Sequence, residues 1–181
     1  METGLLRQTY NEDFSISAWF RFDGNATDHY RPIVAGQFGP FFLGKESGNT
    51  NISMQNSNHE PNLAPGTNAW DGQWHNIVAV FDATAPNSLL TGSVYLDGTL
   101  VGSAIYGNAA SASGLMYIGR EITQPNVFFL GAIDDVGFYD HALTTGEIEA
   151  LQSAGVSEPG ALAVFGLGVF AMGYMRRRKA A

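Results

Sequence analysis

The segment WHNIVAVFD, residues 74–82, decides the class of fold because five consecutive residues within it, 77–81, are apolar. Successive side chains of a strand point to opposite faces, so the unbroken run from Ile77 to Phe81 predicts a central strand covered on both sides. A second segment, GSVYLDGTLVGSA (residues 92–104), places Asp97-Gly98 between two apolar runs. That dipeptide favours a tight hairpin, since both positions of a type I′ turn need a positive φ.

The rest of the body also has the pattern of short strands separated by turns. FSISAWFRF (residues 14–22) alternates between apolar and mostly polar positions, which predicts a half-buried strand with one aromatic, Trp19, on its outer face. Further strands are expected at 32–38, 41–45, 51–55, 115–119 and 128–139, and long polar loops at 23–31, 56–73 and 105–113. One helix is expected from Thr145 to Ser153, because Thr144 and Glu147 have the spacing of a capping box. Nine or ten short strands with one helix predict an all-β, two-sheet antiparallel sandwich.

Composition excludes several classes of function. The 181 residues include no cysteine, so disulfides, thiolate metal sites and cysteine nucleophiles are absent. Four of the nine basic residues stand together at 176–179, and the first 155 residues hold 16 acidic and five basic residues, a net charge of −11. A body of that charge repels phosphate backbones, which argues against a nucleic-acid partner.

Six segments occur in an order that is typical of one fold. They are FSISAW (14–19), WHNIVAV (74–80), VYLDGTLVG (94–102), YIG (117–119), GAIDDVGFY (131–139) and ALTTGEI (142–148). The series resembles the laminin-G-like, concanavalin A-like jelly roll of many bacterial surface proteins, and it covers about residues 14–151. The resemblance implies a jelly-roll domain over residues 14–153 that binds carbohydrate or protein, often with calcium. Members usually have another strand before this point, so residues 1–13 are expected to be the remnant of a truncated N-terminus, with the neighbouring sheet edge open or filled by them.

Enzymatic activity is not expected. Members of this fold that cleave β-glucans resemble one another in a Glu-x-Asp-x-x-Glu run, which sets two carboxylates on one sheet face, and the sequence has none. It also lacks a Gly-x-Ser-x-Gly elbow and any His-x-x-x-His spacing for zinc, so His75 is expected to make a structural hydrogen bond. We therefore expect a non-catalytic binding or structural module. A glycoside hydrolase with an unrecognised site and a purely structural exopolysaccharide-matrix protein are the alternatives.

Candidate ligand-binding residues lie in the loop 56–73. Amides suit sugar hydroxyls and an indole suits the apolar face of a sugar ring, which selects Asn58, His59, Asn62, Trp70 and Asp71. Asparagines are also good turn formers, and Trp70 has the alternative of packing near Trp74.

Asp134 and Asp135 are the candidate ligands for at most one calcium ion, completed by loop oxygens. Neighbours on a strand point to opposite faces, so the two are not expected to chelate one ion from the same face. The alternative is that one carboxylate is solvated and the other holds a loop by hydrogen bonds. No other cofactor is expected.

The C-terminal 28 residues differ from the body. A linker at 154–160 contains Ser157-Glu158-Pro159, the 16 residues from Gly160 to Met175 carry no charge, and Arg176, Arg177, Arg178 and Lys179 follow. This pattern predicts a transmembrane helix at 160–175 with a basic cytoplasmic end at 176–181 and the body outside. The order also resembles the PEP-CTERM sorting signal, with Ser157 where the first proline usually stands. The resemblance implies export to the cell envelope and processing by an exosortase, and an ordinary tail anchor is the alternative. The expected partners are the exosortase, the inner membrane, and an extracellular polysaccharide or surface protein.

Overall fold

Two antiparallel sheets form the body of the protein in the computed structural model. The structure describes residues 2–7, 12–25, 29–36, 41–48, 50–56, 62–64, 68–85, 89–106, 114–121 and 126–156. The strands are β1 (Glu2–Arg7), β2 (Phe14–Phe22), β3 (Arg31–Gly36), β4 (Phe41–Lys45), β5 (Ile52–Asn56), β6 (Asn62–Ala64), β7 (Trp74–Ala85), β8 (Leu89–Leu96), β9 (Thr99–Tyr106), β10 (Gly114–Ile118) and β11 (Gly131–Tyr139). The helix α1 (Thr145–Val156) follows. One sheet has the order β1-β10-β3-β4-β5-β6 and the other has the order β11-β2-β7-β8-β9, so the predicted all-β sandwich is confirmed.

The main core lies between the two sheets. The apolar positions of β2 that alternation selected are all buried there: Phe14, Ile16, Ala18, Phe20 and Phe22. Phe14 lies directly opposite Phe81 of β7, and the two rings stack with centroids 4.3 Å apart. A fully buried side chain of this size contributes roughly 2–3 kcal/mol, so these residues fix which face of β2 points inward.

A second apolar cluster covers part of the outer face of the five-stranded sheet. Val78 and Val80 of β7 pack there with Leu143 and with Ile148 of α1. β7 is therefore covered on both faces, as its apolar run predicts. The same cover buries Ser15, whose Oγ donates to the carbonyl of His141, so the expectation of a half-buried β2 is wrong for its first half.

The tight turn and the helix cap that the sequence predicts are both confirmed. Asp97 and Gly98 connect β8 to β9 with φ values of 49° and 76°, as a type I′ turn requires. At the start of α1 the Thr144 Oγ1 accepts from the Glu147 backbone N–H, and the Glu147 carboxylate accepts from the Thr144 backbone N–H at 2.8 Å. The helix continues to Val156, three residues past the predicted end and into the predicted linker 154–160.

Two strands lie in segments whose polar sequence did not mark them as strands. Residues Glu2–Arg7 form β1, which pairs with β10 at an edge of the six-stranded sheet, so the edge is filled from within residues 1–13. Residues Asn62–Ala64 form β6 within the predicted loop 56–73 and pair with β5. Neither segment has the alternation that marks a half-buried strand, and cross-strand hydrogen bonds form whatever the side chains are.

Residues 157–181 lie outside the described part of the chain, and with them the Ser157-Glu158-Pro159 motif, the predicted membrane helix and its basic end. Within the described residues, α1 is too short and too polar to cross a bilayer.

Candidate functional site

The residues predicted to bind a sugar do not form one site in the described structure. Asn58 and His59 lie outside the described residues, and Asn62 begins β6. Trp70 is only 5% exposed, packs against the rings of Phe20 and Phe22, and donates from Nε1 to the carbonyl of Thr50 at 3.0 Å. Its ring therefore belongs to the core rather than to a stacking platform, and its aromatic partners come from β2, not from Trp74.

Asp71 belongs to a cluster with His75 and Asp97 at the end of the five-stranded sheet where β7 begins. His75 Nδ1 lies 2.7 Å from Asp97 Oδ2, and His75 Nε2 lies 3.1 Å from Asp71 Oδ1. Both carboxylates also accept hydrogen bonds from backbone N–H groups, Asp71 from that of Gln73 at 2.8 Å and Asp97 from that of Asn76 at 2.9 Å. The predicted structural hydrogen bond of His75 is confirmed, and this Asp71–His75–Asp97 cluster anchors the start of β7 to the β8–β9 hairpin.

Two carboxylate partners favour the charged imidazole. Burial of the ring lowers the pKa of His75, but its hydrogen bonds with Asp97 and Asp71 and their negative charges outweigh burial, so the pKa is raised from its usual value. The pKa of Asp71 is lowered, first by the hydrogen bond from the Gln73 N–H and then by His75. The two carboxylates thus favour the imidazolium form of His75 relative to a free imidazole.

Asp134 and Asp135 lie at a β-bulge. Asp134 is opposite Trp19 and Gly137 is opposite Ser17, so β11 has one residue more than β2. Asp135 has a left-handed backbone conformation, with a φ of 46°, which accommodates the extra residue. Asp134 Oδ1 accepts a hydrogen bond from the Asp135 backbone N–H at 2.9 Å. The expectation that the two residues face opposite sides is wrong, because the bulge breaks the alternation. Asp134 shares the outer face with Trp19, and Asp135 lines a groove on that face.

For calcium, the part of the chain that the structure describes contains no group of three or more His, Cys, Asp or Glu side chains that could hold a metal ion. Calcium takes six to eight oxygen ligands. If Asp134 and Asp135 bound it, backbone carbonyls or water would have to supply most of them. Calcium binding stays a prediction.

The groove lies between the outer face of the five-stranded sheet and α1, and has a volume of about 380 Å³. We call it the outer groove. Its floor is formed by Ser17, Trp19, Asn76, Gly137 and Tyr139, and its walls by Asp135, Leu151 and Ala154. Because β11, β2 and β7 are neighbours in the sheet but distant in sequence, the site exists only in the folded domain.

Asn76 is the least satisfied polar group of the outer groove. Its side chain is 1% exposed, and its Nδ2 donates to the carbonyl of Ala18 over a long 3.4 Å. Its Oδ1 is buried without a hydrogen-bond partner, a property that Gln152 Oε1 shares among the described side chains. A buried amide oxygen left unpaired costs about 1–3 kcal/mol, and the residue that carries this one lines the outer groove.

The remaining floor of the outer groove is polar and closely fitted. Ser17 Oγ and Tyr139 OH lie 3.3 Å apart in a hydrogen bond. A Cβ on Gly137 would come within 2.6 Å of Tyr139 OH and 2.8 Å of Ser17 Oγ, so glycine keeps this part of the floor open. Sequence reasoning marks Trp19 as an outer-face aromatic. The one signal for Asn76 is an amide among the apolar residues of a central strand.

Comparison with known proteins gives a family for the body and a motif for the tail. Residues 2–149 match the model of the concanavalin A-like lectin/glucanases superfamily. Residues 155–179 match the PEP-CTERM protein-sorting motif, which implies export, sorting to the envelope and processing by an exosortase. Comparison with curated proteins gives no match.

Solved structures with the same fold come from several kinds of protein. Domain 4 of AbnA, a GH43 extracellular arabinanase from Geobacillus stearothermophilus solved with arabinotriose, is 18% identical over 83% of this chain and 69% of that chain, with a TM-score of 0.57. A heptameric SAP-like pentraxin from Limulus polyphemus is 18% identical over 87% of this chain and 77% of that chain, with a TM-score of 0.63. The binding domain of botulinum neurotoxin DC, solved with rat synaptotagmin II, is 17% identical over 80% of this chain and 36% of that chain, with a TM-score of 0.59.

These likenesses agree with the sandwich of two antiparallel sheets, and at such identities they show the fold alone. The family model spans the two sheets and ends within α1, and the sorting motif begins at the helix's last turn. The chain belongs to the concanavalin A-like lectin/glucanase superfamily and carries a PEP-CTERM sorting motif after its jelly-roll domain.

Proposed function

We propose that this exported surface protein binds a neutral polysaccharide in the outer groove and does not catalyse a reaction. The observation that carries the proposal is the Asn76 side chain, which is buried beside the groove with an unpaired Oδ1. A rotation of the amide that turns Oδ1 toward the outer groove would let a sugar hydroxyl donate to it and supply the missing hydrogen bond.

The other groups of the outer groove suit the same kind of ligand. Sugar sites combine an apolar or aromatic surface with a few placed polar groups. Trp19 supplies a half-buried indole, and Ser17 and Tyr139 supply hydroxyls. Asp135 adds a negative charge in a body whose net charge is −11, so uronic acids and sulfated sugars would be repelled.

A non-catalytic role is supported by how the carboxylates are used. Hydrolysis of a glycosidic bond takes two carboxyl groups, an acid and a nucleophile or base, facing one bond. Asp135 is the one carboxylate among the described residues that line the outer groove. Asp71 and Asp97, on either side of His75, have oxygens committed to backbone N–H groups. The arabinanase domain solved with arabinotriose is consistent with sugar binding by this fold.

For the tail we propose that residues 160–175 span the inner membrane in the precursor, with residues 176–181 inside and the domain outside. Backbone polar groups in lipid must be paired within the segment, so it has to be helical, and the basic cluster fixes its orientation. Cleavage at residues 157–160 would then release the domain with α1 complete.

The proposal is tested with the full chain in mild detergent, by affinity electrophoresis in gels that contain arabinan, xylan, β-glucan or polygalacturonate. We expect retardation by at least one neutral polysaccharide and none by polygalacturonate. Asn76→Leu removes the unpaired oxygen with little change of shape and should weaken binding at least tenfold. Gln152→Met is the matched control, because it removes the other unpaired buried carbonyl, which does not line the outer groove.

Two results would replace the proposal by one of its alternatives. Absence of retardation in every gel, together with an empty glycan array, would favour a purely structural matrix protein. Release of reducing sugar from any of these polysaccharides would favour a glycoside hydrolase.

A further inference from the structure

An exposed tryptophan lies one step beyond the outer groove on the same face of the sheet. Trp74 is 43% exposed and lies at the start of β7, on the strand that also carries Asn76. We propose that Trp74, with Arg21 over its ring, is a second sugar-binding position, so that the ligand is a chain of several sugar units rather than a monosaccharide. This inference rests on the proposed function of the outer groove.

The register of β2 and β7 places the two positions in adjacent rows. Trp19 is opposite Asn76 in one row, and Arg21 is opposite Trp74 in the next. Residues two apart on a strand share a face and are separated by roughly 7 Å, which is comparable with the length of one sugar unit. A saccharide that leaves the groove along the strands therefore passes over Arg21 and Trp74.

In the direction away from Trp74, α1 closes the outer groove. Leu151 and Ala154 of α1 form its wall, and the helix packs over Val78 and Val80 in the rows beyond Asn76. A volume of about 380 Å³ is near the lower end of the range of roughly 300–1,000 Å³ for ligand sites. A polysaccharide held there must continue outward, and the row of Arg21 and Trp74 offers it an exposed surface.

The chemistry of the second position complements that of the first. The Arg21 guanidinium lies 5.5 Å from the centre of the Trp74 ring and is held by two hydrogen bonds to Asp23, of 2.9 and 3.1 Å. The Asp23 backbone N–H in turn donates to the carbonyl of Leu130, which ties this arrangement to the chain before β11. An indole and a fixed guanidinium together offer an apolar surface and N–H donors, whereas the outer groove offers acceptors in Asn76 and Asp135.

The test is the dependence of affinity on chain length. Isothermal titration of the full chain with arabino-oligosaccharides and cello-oligosaccharides, from disaccharide to hexasaccharide, gives a Kd for each length. We expect affinity to rise with length, and Trp74→Ala to remove that rise, with roughly a three- to tenfold loss for the hexasaccharide and little change for the disaccharide. Trp74→Phe, which keeps a ring, should retain most of the affinity for long chains.

Phe128→Ala is the matched control. Phe128 is 48% exposed and has the Arg31 guanidinium 5.9 Å from its ring centre, but it does not line the outer groove. Its removal should leave every Kd unchanged, and thermal unfolding of each variant verifies that the domain is folded. Equal affinity for all lengths, or unchanged binding by Trp74→Ala, would overturn the second position while leaving the groove proposal intact. Absence of binding at every length by the wild-type chain, with no polysaccharide retarding it, would overturn both.

Discussion

Replacing Asn76 by leucine should stabilise the domain while it weakens binding at least tenfold. The side chain keeps its branched shape, but both polar atoms become methyl groups. In the wild type the buried Oδ1 has no partner, which costs about 1–3 kcal/mol, and the hydrogen bond from Nδ2 to the carbonyl of Ala18 is long at 3.4 Å. A bond of that length returns no more than about 0.5 kcal/mol, so we expect the free energy of unfolding to rise by about 1 kcal/mol.

Urea unfolding followed by tryptophan fluorescence measures this change, with the m-value expected to stay constant. For a chain of this size, 1 kcal/mol corresponds to a rise in Tm of about 2–4 °C. Gln152→Met should give a similar gain with no effect on binding, because its Oε1 is equally unpaired but away from the groove. A loss of 1 kcal/mol or more in Asn76→Leu would refute the reasoning, since it would mean that a structural water satisfies the Oδ1 and that Asn76 serves the fold.

Four further outcomes are expected. Stability should fall as pH rises above about 6.5, because the raised pKa of His75 makes its contribution complete below the unfolded value and lost once the folded imidazolium deprotonates. In urea unfolding at a series of pH values, His75→Gln should remove the loss of stability that comes from His75. The pKa of His141 is also raised, first by its hydrogen bond with Asp140, so His141→Gln measures the contribution of that residue to the same pH dependence. Gly137→Ala should weaken polysaccharide retardation, because the new Cβ displaces Ser17 and Tyr139. Millimolar calcium should raise Tm through at most one site, and Asp134→Asn with Asp135→Asn should abolish the rise; an unchanged Tm in the wild type would remove the calcium prediction. Mass spectrometry of the mature protein should find a C-terminus within residues 157–160, and intact chain ending at Ala181 in the membrane would favour a plain tail anchor.

The fold could be predicted largely because its strongest signals are local. The inward-facing residues of β2 and the Asp97-Gly98 turn each depend on residues within one segment, and both are present as predicted, although the first half of β2 is buried on its outer face as well. β6 could not be predicted, and β1 could be predicted only as one of two alternatives for residues 1–13, because the strand conformation of each comes from pairing with a partner strand, β5 or β10, rather than from its own side chains. When a short segment has no apolar alternation, its sequence does not indicate which strand it will pair with.

The site was harder to predict because no single segment contains it. Loop asparagines and Trp70 look like sugar ligands in sequence, but the indole of Trp70 fills the core beside Phe20. The outer groove instead depends on the sheet order that brings β11 and β7 to either side of β2, and on a bulge that turns Asp135 toward the groove. The bulge needs a left-handed φ at an aspartate, which no residue pattern in GAIDDVGFY marks.

One element connects the proposed binding site with the sorting motif. α1 begins after the Thr144 cap, and its Ile148 packs on the outer face of the five-stranded sheet. Its Leu151 and Ala154 line the outer groove. The sorting motif begins at residue 155, within the last turn of the same helix. Every described residue of the groove therefore precedes the proposed cleavage positions, so removal of the tail leaves the wall intact. If residues 160–175 span the membrane as proposed, a polysaccharide held against α1 would be bound only a few residues along the chain from the anchor, and the precursor could engage its ligand before release.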